Sequence, residues 1–446
     1  MTNICNDITQ MNFIEYKEHI EGHYKEYSSY YDRYPYAMMI FEWFIRVPDE
    51  VYSKSKHFLD LKKFNYKLYI LRQLFNFISL ISLLFKSKPK VISNLPRFSL
   101  IDSKLKTICQ EKGYKYSGRL NNQSDKLSIK TIVCLLLIKK FPFEDILLCS
   151  VRFYFLFSKI AEDGLQKTLD NDNLMKRINR YVKNEINAYS RNLGRLNVYC
   201  VFSQGEKTPR LRVFCESVKK AESKYIVIAH GYIVHPHLVS FCPIHADKLV
   251  VWNIKQLEDL SEVLTDSEIA KVSYIGWPKE KVNLVPQDQR DYRKALILLR
   301  PLTYKNNNLS ESIIGELKNN NFSVTVKMHP KDYKIKENIH YIKEKFKIDV
   351  SASSYEEELI DSDIVLSCVS SALVEGLENG VPSFQLEEMK WRDMDEVPDI
   401  SIKEISHYQS KYENFIKENN YFNNDTDLIK EINNLLANDN SEKIGR

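Results

Sequence analysis

The stretch DIVLSCVSSALVEGLENGVP, residues 363–382, carries a complete strand–turn–helix unit. IVLS is a short apolar run of the kind that a fully buried parallel strand needs. The run stops at Ser367, and a serine-rich turn follows. Ser370 and Ser371 then stand where a helix begins, because serine oxygens accept the free N–H groups of a first turn. Gly380 stands one residue beyond the last apolar position and ends the helix as its C′ residue, ahead of Val381-Pro382. Such a helix start presents N–H donors and the positive end of a dipole, which suits a phosphate. Glu375 lies at i+4 from Ser371, on the same helix face. There its carboxylate can accept hydrogen bonds from ribose hydroxyls.

Moving toward the N-terminus, the same alternation recurs. KALILLRP (294–301) reads as a strand, SESIIGELKNNN as a helix, and FSVTVKMHP (322–330) as a strand ending in His329-Pro330. Proline after histidine keeps His329 out of helical geometry, so its ring can project at the strand end. Lys327 and Lys331 add positive charge, and Arg300 follows its strand as a candidate phosphate or carboxylate clamp. An earlier alternation precedes these. LNVYCVFS, KYIVIAH, DKLVVWN and KVSYIGWP (between 196 and 278) read as strands separated by helical stretches. Alternating buried strands and amphipathic helices imply parallel sheets, with ligands beyond the strands' carboxyl ends.

The chain of 446 residues is too long for one ordinary core. We divide it into a helical N-terminal region at 1–85 and a first Rossmann-like domain at 86–280, with a helical insertion at about 127–192. A second Rossmann-like domain follows at 281–400, and a helical tail at 401–446. The charge balance, 64 basic against 59 acidic residues, is too even for a nucleic-acid partner. The eight cysteines lack CxxC spacing and read as reduced thiols of a cytoplasmic protein. The first residues lack the pattern of a signal peptide. The segment LYILRQLFNFISLISLLFKSKPK, 68–90, is interrupted by Arg72, Gln73 and Asn76 and ends in lysines. Two readings stay open for it: a buried helix, or a helix in the membrane surface with its lysines toward headgroups.

Four of the ten histidines fall between 230 and 245. His235 and His237 do not share a helix face and no HExxH pattern exists, so no metal requirement is expected. His230 stands at the end of its strand, and histidine as a residue type suits taking a proton from a hydroxyl near neutral pH.

As an ordered set, the HG at 230–231, the HP at 329–330 and the SS-x-x-x-E at 370–375 resemble GT-B glycosyltransferases of bacterial surface polysaccharides. They are similar to the motifs of bacterial sialyltransferases, Kdo transferases and CDP-glycerol glycerophosphotransferases. The resemblance spans about 195–390. It implies an α/β GT-B fold, two Rossmann-like domains facing a cleft. It also implies a CMP- or CDP-activated donor, most simply a CMP-linked acidic sugar, and a capsule, lipopolysaccharide or other surface-glycan acceptor. His329-Pro330 and Glu375 would hold the nucleotide, and Ser370 and Ser371, with Arg300, its phosphate. For the base the resemblance leaves two choices. One is His230; the other is Glu162-Asp163 of KIAEDGLQK, which is similar to a [DE]-[DE]-G motif but also reads as a helix end. A polyol phosphotransferase, a UDP-sugar epimerase and a non-catalytic export scaffold are the alternatives.

Overall fold

The computed structural model describes residues 18, 21–22, 24–39, 89–95, 98–117, 169–195, 197–205, 209–229, 243–262, 264–290, 292–299, 309–329, 336–368, 370–390, 396–419 and 428–437. The apolar segment 68–88, the region 127–168, and the histidines at 230, 235 and 237 lie outside them.

The first half runs α1 (Ser28–Arg33), β1 (Lys90–Asn94), α2 (Ser99–Glu111), β2 (Lys115–Ser117), α3 (Asp172–Arg195), β3 (Val198–Ser203), α4 (Pro209–Lys220), β4 (Lys224–Ile228), β5 (Lys248–Val251), α5 (Ile254–Ser261), α6 (Asp266–Ile269) and β6 (Val272–Tyr274). The second half runs β7 (Arg293–Leu298), α7 (Glu311–Asn319), β8 (Phe322–Lys327), α8 (Lys336–Phe346), β9 (Asp349–Val350), α9 (Tyr355–Leu359), β10 (Ile364–Ser367), α10 (Ser371–Glu378), β11 (Ser383–Leu386), β12 (Asp399–Ile400), α11 (Tyr408–Glu418) and α12 (Leu428–Ala437).

The strands form two six-stranded sheets, ordered β2-β1-β3-β4-β5-β6 and β12-β11-β10-β7-β8-β9. Every pairing is parallel. These are the two Rossmann-like halves of the GT-B class. The central strands are apolar runs buried along nearly their whole length, as sheets covered on both faces require. The expected strands all form. Among the remaining strands, β2, β9 and β12 lie at sheet edges and are only two or three residues long.

Local signals set the element ends. Pro209 opens α4, where its missing N–H costs nothing. Ser310 caps α7 by accepting from the Ile313 N–H. The helix α3 turns Met175, Ile178, Val182 and Ile186 onto one face, packed with Tyr34, Ala37 and Met38 from the N-terminal region. The Asn179 side chain holds that contact by accepting from the Tyr36 and Ala37 N–H groups.

One apolar core is continuous between the halves. Val91, Phe98 and Trp252 of the first belong to the same cluster as Leu298, Leu373 and Leu377 of the second. The C-terminal tail is part of this core rather than an appendage. Ile432 and Leu435 of α12 are buried in it, and the Tyr199 hydroxyl of β3 donates to the Leu436 carbonyl. The stretch between β6 and β7 is polar, as expected of a linker, but it is pinned to the second half. The Val282 N–H donates to Asn379 Oδ1 at 2.7 Å, and the Val285 N–H to the Ile360 carbonyl at 2.8 Å.

Candidate functional site

The carboxyl edge of the second sheet gathers the candidate residues. Ser367 of β10 is in register with Leu298 of β7, and Leu298 with Lys327 of β8. With strands about 4.8 Å apart, these three positions form one short line across the sheet. Ser370, Arg300 and His329 each follow that line by two or three residues in sequence. The chain runs from β7 to β8 on one side and returns to β10 on the other. Such a reversal in strand order opens a crevice at the carboxyl edge, the usual ligand position in open parallel sheets.

The turn after β10 is held from within. The Ser367 hydroxyl is buried and donates to the Leu298 carbonyl at 2.9 Å. The buried Gln385 amide donates to the Cys368 carbonyl. Ser370 caps α10, its Oγ accepting from the Ala372 N–H at 3.2 Å. That bond occupies an acceptor lone pair and leaves the hydroxyl proton to donate. Ser370 and Ser371 are both partly exposed.

The far end of α10 forms the C-terminal turn expected of Gly380, whose φ is +80°. The Val381 N–H reaches the Gly376 carbonyl, and the Gly380 N–H reaches Leu377. Within the helix, Gly376 is the residue over which α10 approaches β11. Glu378, the last helical residue, is buried, and burial pushes its carboxyl up to about 8, opposed by Lys281.

Glu375 is already engaged. Its Oε2 lies 2.5 Å from the Lys279 ammonium, which stands on the segment joining the two sheets. Lys279 is also 3.8 Å from Glu356. Beside them the Tyr355 hydroxyl donates to the Ala372 carbonyl of α10. Burial raises the Tyr355 phenol, and the charge on Glu375 adds to the effect.

His329 lies just past β8 and is partly exposed. Lys327 donates to the Ser353 carbonyl, and burial pulls its ammonium down. Arg300, Pro330 and Lys331 lie outside the described residues, as do His230, Glu162 and Asp163. The structure therefore brings Ser370, Ser371 and His329 to one sheet edge, with Glu375 one helical turn further along α10.

In the first sheet, the strand that leads to His230 is well anchored. The buried Trp252 indole N–H donates to the Ala229 carbonyl at 2.9 Å. Trp252 also packs edge-on against Trp277 at 5.3 Å and Phe98 at 6.1 Å. Strand order reverses here between β1 and β3. Beside this reversal Asp102, in the first turn of α2, accepts from Ser93 of β1 at 2.5 Å and from the Tyr116 hydroxyl of β2. Burial pushes the Tyr116 phenol up, and its bond to Asp102 adds to the effect. Sequence reasoning missed this Ser–Asp–Tyr group and Lys279. The only local trace of the first was an acidic residue in a helix's first turn.

Among the described residues no three His, Cys, Asp or Glu side chains converge as metal ligands would. No helix among them is long and apolar enough to cross a membrane.

No protein-family model and no curated sequence matches the chain. Solved structures do. A protein of Listeria monocytogenes assigned as a UDP-N-acetylglucosamine 2-epimerase is 13% identical, with a TM-score of 0.46, over 79% of this chain and 96% of that one. The UDP-GlcNAc 2-epimerase of Neisseria meningitidis, solved with UDP-GlcNAc bound, is 12% identical (TM-score 0.40, 75% and 92% covered). A glycosyltransferase of Rickettsia africae is 13% identical (TM-score 0.38, 79% and 93% covered).

Proposed function

We propose that the chain is a glycosyltransferase that moves a sugar from a cytidine-nucleotide donor, a CMP-linked acidic sugar such as sialic acid or Kdo, to a growing bacterial surface glycan. The observation that carries this reading is the second sheet's carboxyl edge. A serine-capped helix start follows β10, and a histidine follows β8, on either side of the strand-order reversal. This arrangement supports a nucleotide whose phosphate meets Ser370, Ser371 and the α10 N-terminus. Arg300 is a third phosphate contact. His329, positioned by Pro330, and Glu375 take the base and ribose.

The proposed chemistry is a direct displacement. His230, or in its place the Glu162-Asp163 pair, takes the proton from an acceptor hydroxyl. The acceptor oxygen attacks the anomeric carbon as the bond to the nucleotide's phosphate oxygen breaks. The electron pair leaves with CMP, and the charge gathered on the phosphate meets the serine hydroxyls and helix N–H groups. The stretch 66–90, apolar and ending in lysines, suits contact with the inner face of the plasma membrane, where a lipid-linked acceptor would be met.

Incubating the full chain with CMP-, CDP- and UDP-activated donors and measuring nucleotide release tests this. Turnover of a CMP-sugar is the expected result. Turnover of a CDP-polyol alone would make it a phosphotransferase on the same site. Neither binding nor turnover of any cytidine donor would overturn the reading.

A further inference from the structure

We infer that Lys279, on the segment joining the two sheets, is a positioning residue that sets Glu375 for the ribose hydroxyls of the nucleotide. The inference rests on the reading of α10 as a nucleotide site.

Glu375 stands one helical turn beyond Ser371, so a phosphate at the helix start places its ribose along the same face. A long flexible carboxylate at that position needs to be held if it is to accept two hydroxyls. Lys279 does this from outside the helix. Its ammonium lies 2.5 Å from Glu375 Oε2, and both side chains are largely hidden, at 19% and 14% exposure. A pair so enclosed is screened less than a surface pair. The segment that carries Lys279 is fixed just beyond it, through Val282 to Asn379 at the end of the same helix and through Val285 to Ile360. The lysine therefore arrives at Glu375 from a backbone already docked on α10.

The ammonium is not itself a phosphate ligand here. It is engaged with Glu375 and lies 3.8 Å from Glu356, so two carboxylates neutralise it. A carboxylate offers about four acceptor positions, so the bond to lysine does not by itself fill it. Because Lys279 belongs to the connection between the halves, nucleotide affinity and the geometry of that connection are tied through one ion pair.

The test is calorimetric titration of the full chain with CMP and with its 2′-deoxy analogue, for the wild type and for Lys279→Met, Lys279→Arg and Glu375→Gln. The wild type is expected to prefer CMP by about tenfold, the worth of one well-formed hydrogen bond to a charged group. Lys279→Met and Glu375→Gln are expected to lose that preference, and Lys279→Arg to keep it. The Lys279→Met, Glu375→Gln double variant should be no worse than Glu375→Gln. A general loss of folding would lower affinity for both nucleotides alike, so the ratio isolates the positioning role. Lys279→Met with wild-type discrimination would overturn the role of Lys279 and leave the nucleotide site standing. A wild type that binds neither nucleotide would remove the site, and the inference with it.

Discussion

Gly376 of α10 and Ser383 of β11 approach so closely that a β-carbon on the glycine would stand 2.1 Å from the serine Oγ. Ser383 is fully buried and its hydroxyl donates to the Val381 carbonyl, so turning the hydroxyl away would cost that bond. The Tyr355 hydroxyl lies 3.2 Å from the same position. Helix α10 thus sits low on the sheet because one residue has no side chain. Gly376→Ala is expected to destabilise the protein by about 1–3 kcal/mol, the usual cost of overpacking, despite alanine's better helix propensity. Urea unfolding measures it. A Gly376→Ala, Ser383→Gly double variant should recover part of the loss; a Gly376→Ala variant as stable as wild type would contradict this packing.

Glu378 makes stability fall with rising pH. In the unfolded chain its carboxyl titrates near 4.5, and in the fold burial lifts it to about 8. Between these values the unfolded chain has released the proton and the folded chain still holds it. Stability therefore falls across that window, by up to about 1.4 kcal/mol per pH unit, and levels off above it. Glu378→Gln removes this component. Urea midpoints of the two proteins from pH 5 to 9 should converge at the acid end and separate at the alkaline end. Parallel profiles would rule the effect out.

Lys294 is the centre of a buried network at the opposite edge of the second sheet. Its ammonium is 2.7 Å from Glu358 and 2.8 Å from Asp361, and its backbone N–H donates to Asp363. Burial alone would raise the Glu358 carboxyl, but the bonds from Lys294 and Ser351 outweigh it and hold it below its ordinary value. That contribution is present above about pH 4.5 and is lost as pH falls through the lowered folded value. Lys294→Met leaves the carboxylates without their cation and is expected to cost about 3–5 kcal/mol at neutral pH. Acidification should narrow the gap between variant and wild type. A gap that stays constant down to pH 3 would show that the network contributes no charge-dependent stability.

The two serines at the start of α10 should separate cleanly. Ser370→Ala removes a helix cap and is expected to cost about 1 kcal/mol of stability as well as donor affinity. Ser371→Ala leaves the cap in place and should weaken donor binding with little change in melting temperature. Nucleotide titration beside thermal melts distinguishes them. Equal donor affinity in Ser371→Ala and wild type would remove this serine from the phosphate site.

His230→Ala is expected to lower turnover by roughly 10²–10⁴-fold while nucleotide affinity holds, as the loss of a general base does. Single-turnover kinetics with a saturating donor would show it. Unchanged turnover would transfer the role to the Glu162-Asp163 pair.

Much of the architecture was legible in the residues because it depends on near neighbours. IVLS at 364–367 and YIVI at 225–228 are short apolar runs bounded by polar residues, the pattern of covered parallel strands. Ser370 and Gly380 mark the two ends of α10 by backbone chemistry that acts within a few residues. The short strands β2, β9 and β12 were not legible, since two or three residues carry no periodicity and become strands only when a neighbouring strand supplies the hydrogen bonds.

The chain's own pattern, then, was enough to place the serine helix start and the His329 turn at strand ends, because strand, cap and turn are short-range choices. It held no trace of the pairing between Lys279 and Glu375, 96 residues apart, and of Asp102 meeting Tyr116 it showed only an acidic residue in a helix's first turn. Nor did it show that α12 returns to complete the first half's core. Those contacts form only when separate elements are packed against one another, and packing distance is not written in any local run of residues.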